Sequence, residues 1–247
     1  MKIFLVSVST AALVAASLAG AADVKQRPLK LRETCLTKTE RSRVLRFRAS
    51  DRVRLLGVEL GSGPRGVVLA HQGASDLCIW LPYGRALAAR GYRVLVFDHR
   101  GFGSSGSPGR STRRNRVDYD VLGAIRTIRA RGATSVVLAG GSLGGAAVVS
   151  AGARATPPVN GVISLSAPAS FGRLDLVSAA RALRAPALFV AEEEDQPFSD
   201  DARTMYDACP SADKQLAVLP GVDHGIFMLR DRGIRALVDD FIARHAQ

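Results

Sequence analysis

The stretch "VVLAGGSLGGAAVV", residues 136–149, decides how the rest of the chain is read. A run of β-formers stops at Gly140 and Gly141, Ser142 stands alone, and Leu143 leads into glycines and an alanine-rich run. The five residues from Gly140 to Gly144 fit G-x-S-x-G, a turn that presents a serine hydroxyl between a strand and a helix. The reason is steric. A strand that turns at once into a helix leaves no room for side chains two residues before and after the turn, so glycine is needed at both places. Such a turn lifts the hydroxyl clear of the sheet, and N–H groups at the helix start can hold an oxyanion. The bland alternative is a small residue in a glycine-rich turn. The flanks favour the nucleophile, because "SVVLAG" reads as a strand and "LGGAAVVSAGARA" as a helix.

The same alternation runs outward from this turn. Upstream, "RVLRFRA" and "RVRLLGVEL" alternate apolar and polar residues and read as a β-hairpin. "GVVLAH" is a continuous apolar run, as expected of a strand buried on both faces. "WLPYGRALAARG" and "DYDVLGAIRTIRARG" read as helices closed by Gly91 and Gly132, with the strand "YRVLVFD" between them. Downstream come the strand "GVISLSAP", the helix "LDLVSAARAL", the strand "PALFVAEE", the helix "DDARTMYDA", the strand "KQLAVLPG" and a last helix, "GIRALVDDFIARHA". An antiparallel opening followed by alternating strands and helices predicts an α/β fold. It has a mainly parallel eight-stranded sheet, with helices on both faces. No linker or repeat divides it, so residues 42–247 are expected to form one domain behind a polar lead-in at 23–41.

A serine hydroxyl needs a base. The histidines are His71, His99, His224 and His245. His245 lies in the C-terminal tail, and His71 and His99 sit at strand ends upstream of the serine. His224, in "LPGVDHGIF", follows the last predicted strand, and strand ends on one edge of a parallel sheet converge, so His224 can reach Ser142. The base in turn needs an orienting carboxylate. "ALFVAEEEDQPF" offers Glu192, Glu193, Glu194 and Asp195, a run whose members are mostly expected to be solvated.

The sequence resembles the α/β-hydrolase superfamily over nearly all of residues 42–247. Besides G-x-S-x-G, "DHRGFGSS" (98–105) is similar to that family's D-x-R-G-x-G-x-S turn, "VVLAHQG" resembles its strand ending in His-Gly, and "VDHG" its histidine loop. The resemblance implies Ser142, Asp195 and His224 as a catalytic triad, in the chain order serine, acid, histidine. It implies the backbone N–H groups of Gly73 and Leu143 as the oxyanion hole, and structural roles for His71, Asp98 and Arg100. Two residues depart from the pattern. Gln72 stands where the family usually has glycine after the histidine, and Glu192 stands at the glycine of its G-x-x-D.

The net charge of +12 comes mostly from arginines scattered along the chain. The densest cluster, "GRSTRRNR" (109–116), has no interleaved aromatics, so no nucleic-acid partner is expected. Residues 1–22 have one early lysine, an apolar run and small residues around 19–22, the pattern of a cleaved export signal. The rival reading of that run is an uncleaved anchor. Export implies an oxidising compartment, where Cys35, Cys78 and Cys209 allow one disulfide and one free thiol. Cys35–Cys78 is favoured, though spacing leaves the pairing open. No cofactor or metal is expected. The expectation is therefore an exported serine hydrolase of small carboxylic esters, without a large cap domain and without stable membrane insertion once the signal is removed. A peptidase or amidase with the same residues, and a non-catalytic binding protein of the same fold, are the alternatives.

Overall fold

The computed structural model describes residues 29–109 and 113–247. The expected export signal at 1–22 lies outside the described residues, as does 110–112 of the basic cluster. Eight strands form the main sheet: β1 (Val44–Arg48), β2 (Arg54–Leu60), β3 (Arg65–Ala70), β4 (Arg93–Phe97), β5 (Ser135–Gly141), β6 (Gly161–Leu165), β7 (Ala187–Glu192) and β8 (Lys214–Leu219). Their order is β1-β2-β4-β3-β5-β6-β7-β8. β1 pairs antiparallel with β2, and β2 antiparallel with β4. From β3 to β8 every pairing is parallel. The C-terminal ends of β3, β5, β6, β7 and β8 therefore share one edge, where ligands of open α/β sheets bind.

Helices cover both faces. Five residues precede the sheet as α1 (Lys38–Ser42); α2 (Leu81–Ala89) and α7 (Arg232–His245) pack on one face. α3 (Val117–Ala130), α4 (Leu143–Gly152), α5 (Leu176–Ala182) and α6 (Phe198–Ala208) pack on the other. α4 is buried along its whole length, which its run of glycine, alanine and valine permits. A Cβ at Gly144 would lie 2.1 Å from the Ala70 carbonyl oxygen, so only glycine lets the helix settle this close to β3.

Two expectations need revision. Residues 29–41 are tied into the domain rather than leading up to it. Cys35 is disulfide-bonded to Cys78, Leu36 is buried, and Glu33 is buried against Ser104. Thr37 and Glu40 form a reciprocal capping box on α1, and Glu40 also pairs with Arg85 on α2. The helix expected at 174–183 begins instead at Leu176. Asp175 caps it by accepting from the Ser178 N–H, and Leu174 pairs with Phe171 in a two-stranded ribbon. That ribbon and α5 fill the segment between β6 and β7, leaving no chain for a cap domain. Cys209 is a buried free thiol.

Candidate active site

Ser142 sits between β5 and α4 with φ 50° and ψ −115°, a backbone that side chains rarely adopt. A Cβ at Gly140 would fall 2.3 Å from the Gly144 backbone, so the two flanking glycines make room for each other. The turn is pinned by the Ser142 N–H donating to the Leu165 carbonyl at 2.8 Å. Ser142 is half-buried, so a substrate can reach it. Leu143 is the first residue of α4, and its N–H therefore has no acceptor within the helix. Gly73 lies just past β3 on the same edge, with open space where a Cβ would stand.

His224 follows β8 and Asp195 follows β7. The His224 Nδ1 lies 3.0 and 2.9 Å from the two Asp195 carboxylate oxygens. Asp195 is 8 % exposed, whereas Glu193 and Glu194 point to solvent. Turn geometry separates them, since Asp195 N–H donates back to the Glu192 carbonyl and carries its side chain inward. The expectation of a solvated acidic loop is corrected at Glu192 as well, which is buried and accepts from the Asp223 N–H at 2.6 Å. The histidine loop lies against the serine turn: a Cβ on Gly141 would be 3.0 Å from Ile226 N and 3.2 Å from Gly225 Cα. The structure thus brings Ser142, His224 and Asp195 to one edge of the sheet from three strand ends.

Three residues take site roles that the sequence did not assign them. Phe198 packs its ring on the His224 imidazole with centroids 4.4 Å apart. Ser166, buried just past β6 with φ 51°, accepts from the Gly225 N–H at 3.1 Å. Gln72 accepts from the Ile226 N–H at 3.1 Å through its side-chain oxygen. For Ser166 the only signal was its place at the end of a parallel strand. Phe198 carried none.

His71 and His99 do not enter this cluster. The His71 Nδ1–H donates to the Gln72 carbonyl at 2.7 Å, and its Nε2 accepts from the His99 N–H at 2.9 Å, stitching the ends of β3 and β4 together. Burial first, and the neighbouring His99 second, hold the His71 imidazole down to about 3, so it stays neutral. Asp98 caps the turn after β4, accepting from the Leu77 and Ser104 N–H groups. Burial, then its hydrogen bond with Glu33, pushes the Asp98 carboxyl up to about 8. Arg100 is wholly buried between Asp51 and Asp120.

Residues 62–177 match the family model described as serine aminopeptidase, S33. The fold superposes on an esterase of Pyrococcus furiosus with TM-score 0.72 and 15% identity, over 89% of this chain and 99% of that one. It also superposes on a monoacylglycerol lipase of Paleococcus ferrophilus (TM-score 0.64, 18% identity, 76% and 98% covered). A third match is an enol-lactonase of Burkholderia xenovorans (TM-score 0.65, 19% identity, 80% and 99% covered). The chain has the α/β-hydrolase fold.

Within this fold the site is compact. A cavity of about 430 Å³ opens beside the serine turn, with Leu143, Phe102, Phe171, Arg114 and Asn115 in its wall. Its charged lining residues are the arginines Arg100 and Arg114. No helix among the described residues is long and apolar enough to cross a membrane.

Proposed function

We propose that this protein is an α/β-hydrolase, an exported serine esterase that cleaves small carboxylic esters through an acyl-enzyme on Ser142. The observation that carries the reading is the His224–Asp195 pair lying against the strained turn of Ser142. Asp195 accepts the Nδ1–H of His224, which leaves Nε2 as the basic nitrogen. Nε2 takes the Ser142 proton as Oγ attacks the ester carbonyl. The oxyanion is held by the N–H groups of Gly73 and Leu143. His224 then gives its proton to the departing alcohol, and water repeats the sequence on the acyl-enzyme to release the acid.

Solved structures of similar fold named as an esterase, a lipase and a lactonase support ester chemistry. The family description favours a second reading, an aminopeptidase with the same triad. Such an enzyme must recognise a substrate ammonium. Arg100 in the cavity wall is neutralised by Asp51 and Asp120, but the exposed Arg114 would repel an ammonium, and no carboxylate stands among the described lining residues to pair with it. Export rests on the signal-like residues 1–22, and the Cys35–Cys78 disulfide suits an oxidising compartment. The experiment is a panel of esters, amides and thioesters on the purified protein, with a fluorophosphonate probe as a label for an activated serine. Turnover of esters, with labelling lost in Ser142→Ala, is the expected result. Amide turnover without ester turnover would move the reading to a peptidase, and no labelling would end it. N-terminal sequencing of exported protein should begin at residue 22 or 23.

A further inference from the structure

His224 lies in a loop whose backbone is held mostly by side chains from elsewhere. Three N–H groups around it find acceptors on three different strand ends. Asp223 N–H donates to the Glu192 carboxyl at 2.6 Å, Gly225 N–H to Ser166 Oγ at 3.1 Å, and Ile226 N–H to Gln72 Oε1 at 3.1 Å. Gln72 and Glu192 are the two residues at which this sequence departs from the pattern it otherwise follows.

The loop is shaped to receive those two side chains. A Cβ at Gly221 would lie 2.0 Å from Glu192 Oε2, and a Cβ at Gly225 would lie 2.5 Å from Gln72 Oε1. Both glycines have positive φ, 145° and 61°. Each glycine thus leaves the room that one side chain fills, which pairs Glu192 with Gly221 and Gln72 with Gly225.

We infer that Gln72 and Glu192 are positioning residues that clamp the histidine loop and hold His224 in register with Ser142; the inference rests on the esterase reading. The clamp has a mechanical consequence on each side. Glu192 and Asp195 leave the same strand end three residues apart, so β7 holds the loop backbone and the imidazole as one unit. The zipper continues beside them, with Glu193 N–H bonded to the Leu219 carbonyl and Glu194 N–H to that of Gly221. Gln72 precedes Gly73 in the chain. Its amide therefore ties the segment bearing one proposed oxyanion donor to the segment bearing the base, and the two cannot drift apart independently.

The test uses Gln72→Leu and Glu192→Leu, which remove the acceptors at similar volume, and Glu192→Gln, which keeps an acceptor oxygen. Three readouts are taken on each: kcat and KM on p-nitrophenyl acetate, the melting temperature, and hydrogen exchange of the amides at 223 and 226. The leucine variants should lose about a hundredfold in kcat with KM little changed, because a misplaced catalytic group acts on the chemical step. Their amides at 226 and 223, respectively, should exchange faster. The double leucine variant should lose less than the product of the singles, since both act on one loop. Glu192→Gln should recover most of the loss. Leucine variants that keep wild-type kcat, or that lose only melting temperature, would overturn the clamp. Gln72 is half-buried in a loop, so its variant decides the matter should Glu192→Leu not fold. If the wild-type protein turns over no ester, the esterase reading falls, and exchange then judges the clamp alone. Slow exchange at 223 and 226 that is lost in the leucine variants supports it, and fast exchange in the wild type refutes it.

Discussion

At the scale of single residues, the Ser142 backbone carries strain that the turn imposes and that the proposed chemistry would use. Ser142→Ala should lower kcat by about a millionfold, as loss of a triad serine does in subtilisin. Near-wild-type turnover by the folded variant would remove the mechanism. Ser142→Gly should be equally inactive yet more stable, by about 1 kcal/mol. Positive φ strains a non-glycine residue by roughly 1–3 kcal/mol, and a glycine's extra backbone entropy offsets about 0.5–1 of that. Urea unfolding of the two variants checks the difference. For the acid, Asp195→Asn should lower kcat by about ten-thousandfold, as the wrong histidine tautomer does in serine proteases. Glu193→Gln and Glu194→Gln, on exposed side chains, should leave it within ordinary variation. A severe loss at either glutamate and a mild one at Asp195 would reassign the acid.

At the scale of elements, the ends of β3 and β4 are joined by a histidine that must stay neutral. The His71 imidazole is held at about 3, below its ordinary 6.5. The folded state therefore resists a proton that the unfolded chain accepts. The stability this group contributes is fully present above pH 6.5 and is lost as the pH falls from there toward 3. One such proton is worth about 1.4 kcal/mol per pH unit, so wild type should lose about 2 kcal/mol more than His71→Asn between pH 7 and pH 5. Urea titrations at the two pH values measure this, and equal losses would place the acid-sensitive group elsewhere. Asp98 acts in the opposite sense. Its carboxyl is raised to about 8 by burial and by Glu33, so its contribution is present below pH 3.8 and is lost as the pH climbs through 8. Glu33 belongs to the segment ahead of α1, so that segment is the first place alkaline pH should loosen.

At the scale of the whole molecule, the site is open. Between β6 and β7 the chain builds only the two-stranded ribbon and the seven residues of α5. That segment holds no inserted element to wall a long apolar tunnel, in which each buried methylene would add about 0.8 kcal/mol. Nor does the segment between β6 and β7 hold an element to swing aside at a lipid surface. Across p-nitrophenyl esters kcat/KM should therefore peak at short acyl chains, with no jump at the critical micelle concentration. A preference for long chains, or such a jump, would reveal an acyl groove of another kind. The arginine excess is partly an internal matter. Arg100 is buried between Asp51 and Asp120, Arg93 and Arg131 share Glu59, and Arg116 and Arg154 share Asp118.

The amino-acid sequence alone dictated the alternation of strands and helices, the turn at Ser142 and the approach of His224 to it along one edge. These follow from short-range rules: hydrophobic period, glycine at a turn with no room for Cβ, and parallel strands that end on one side. The sequence left the acid among Glu192, Glu193, Glu194 and Asp195, with Asp195 implied only by the family resemblance. The reach of residues 29–41 into the domain, the burial of Glu192 and the role of Gln72 were decided only by tertiary structure. Each depends on partners far away in the chain: Cys78 and Arg85 for the leading segment, Asp223 for Glu192, Ile226 for Gln72. A polar side chain in a loop reads as solvated until the fold supplies a backbone N–H for it, and no local pattern announces which one that will be.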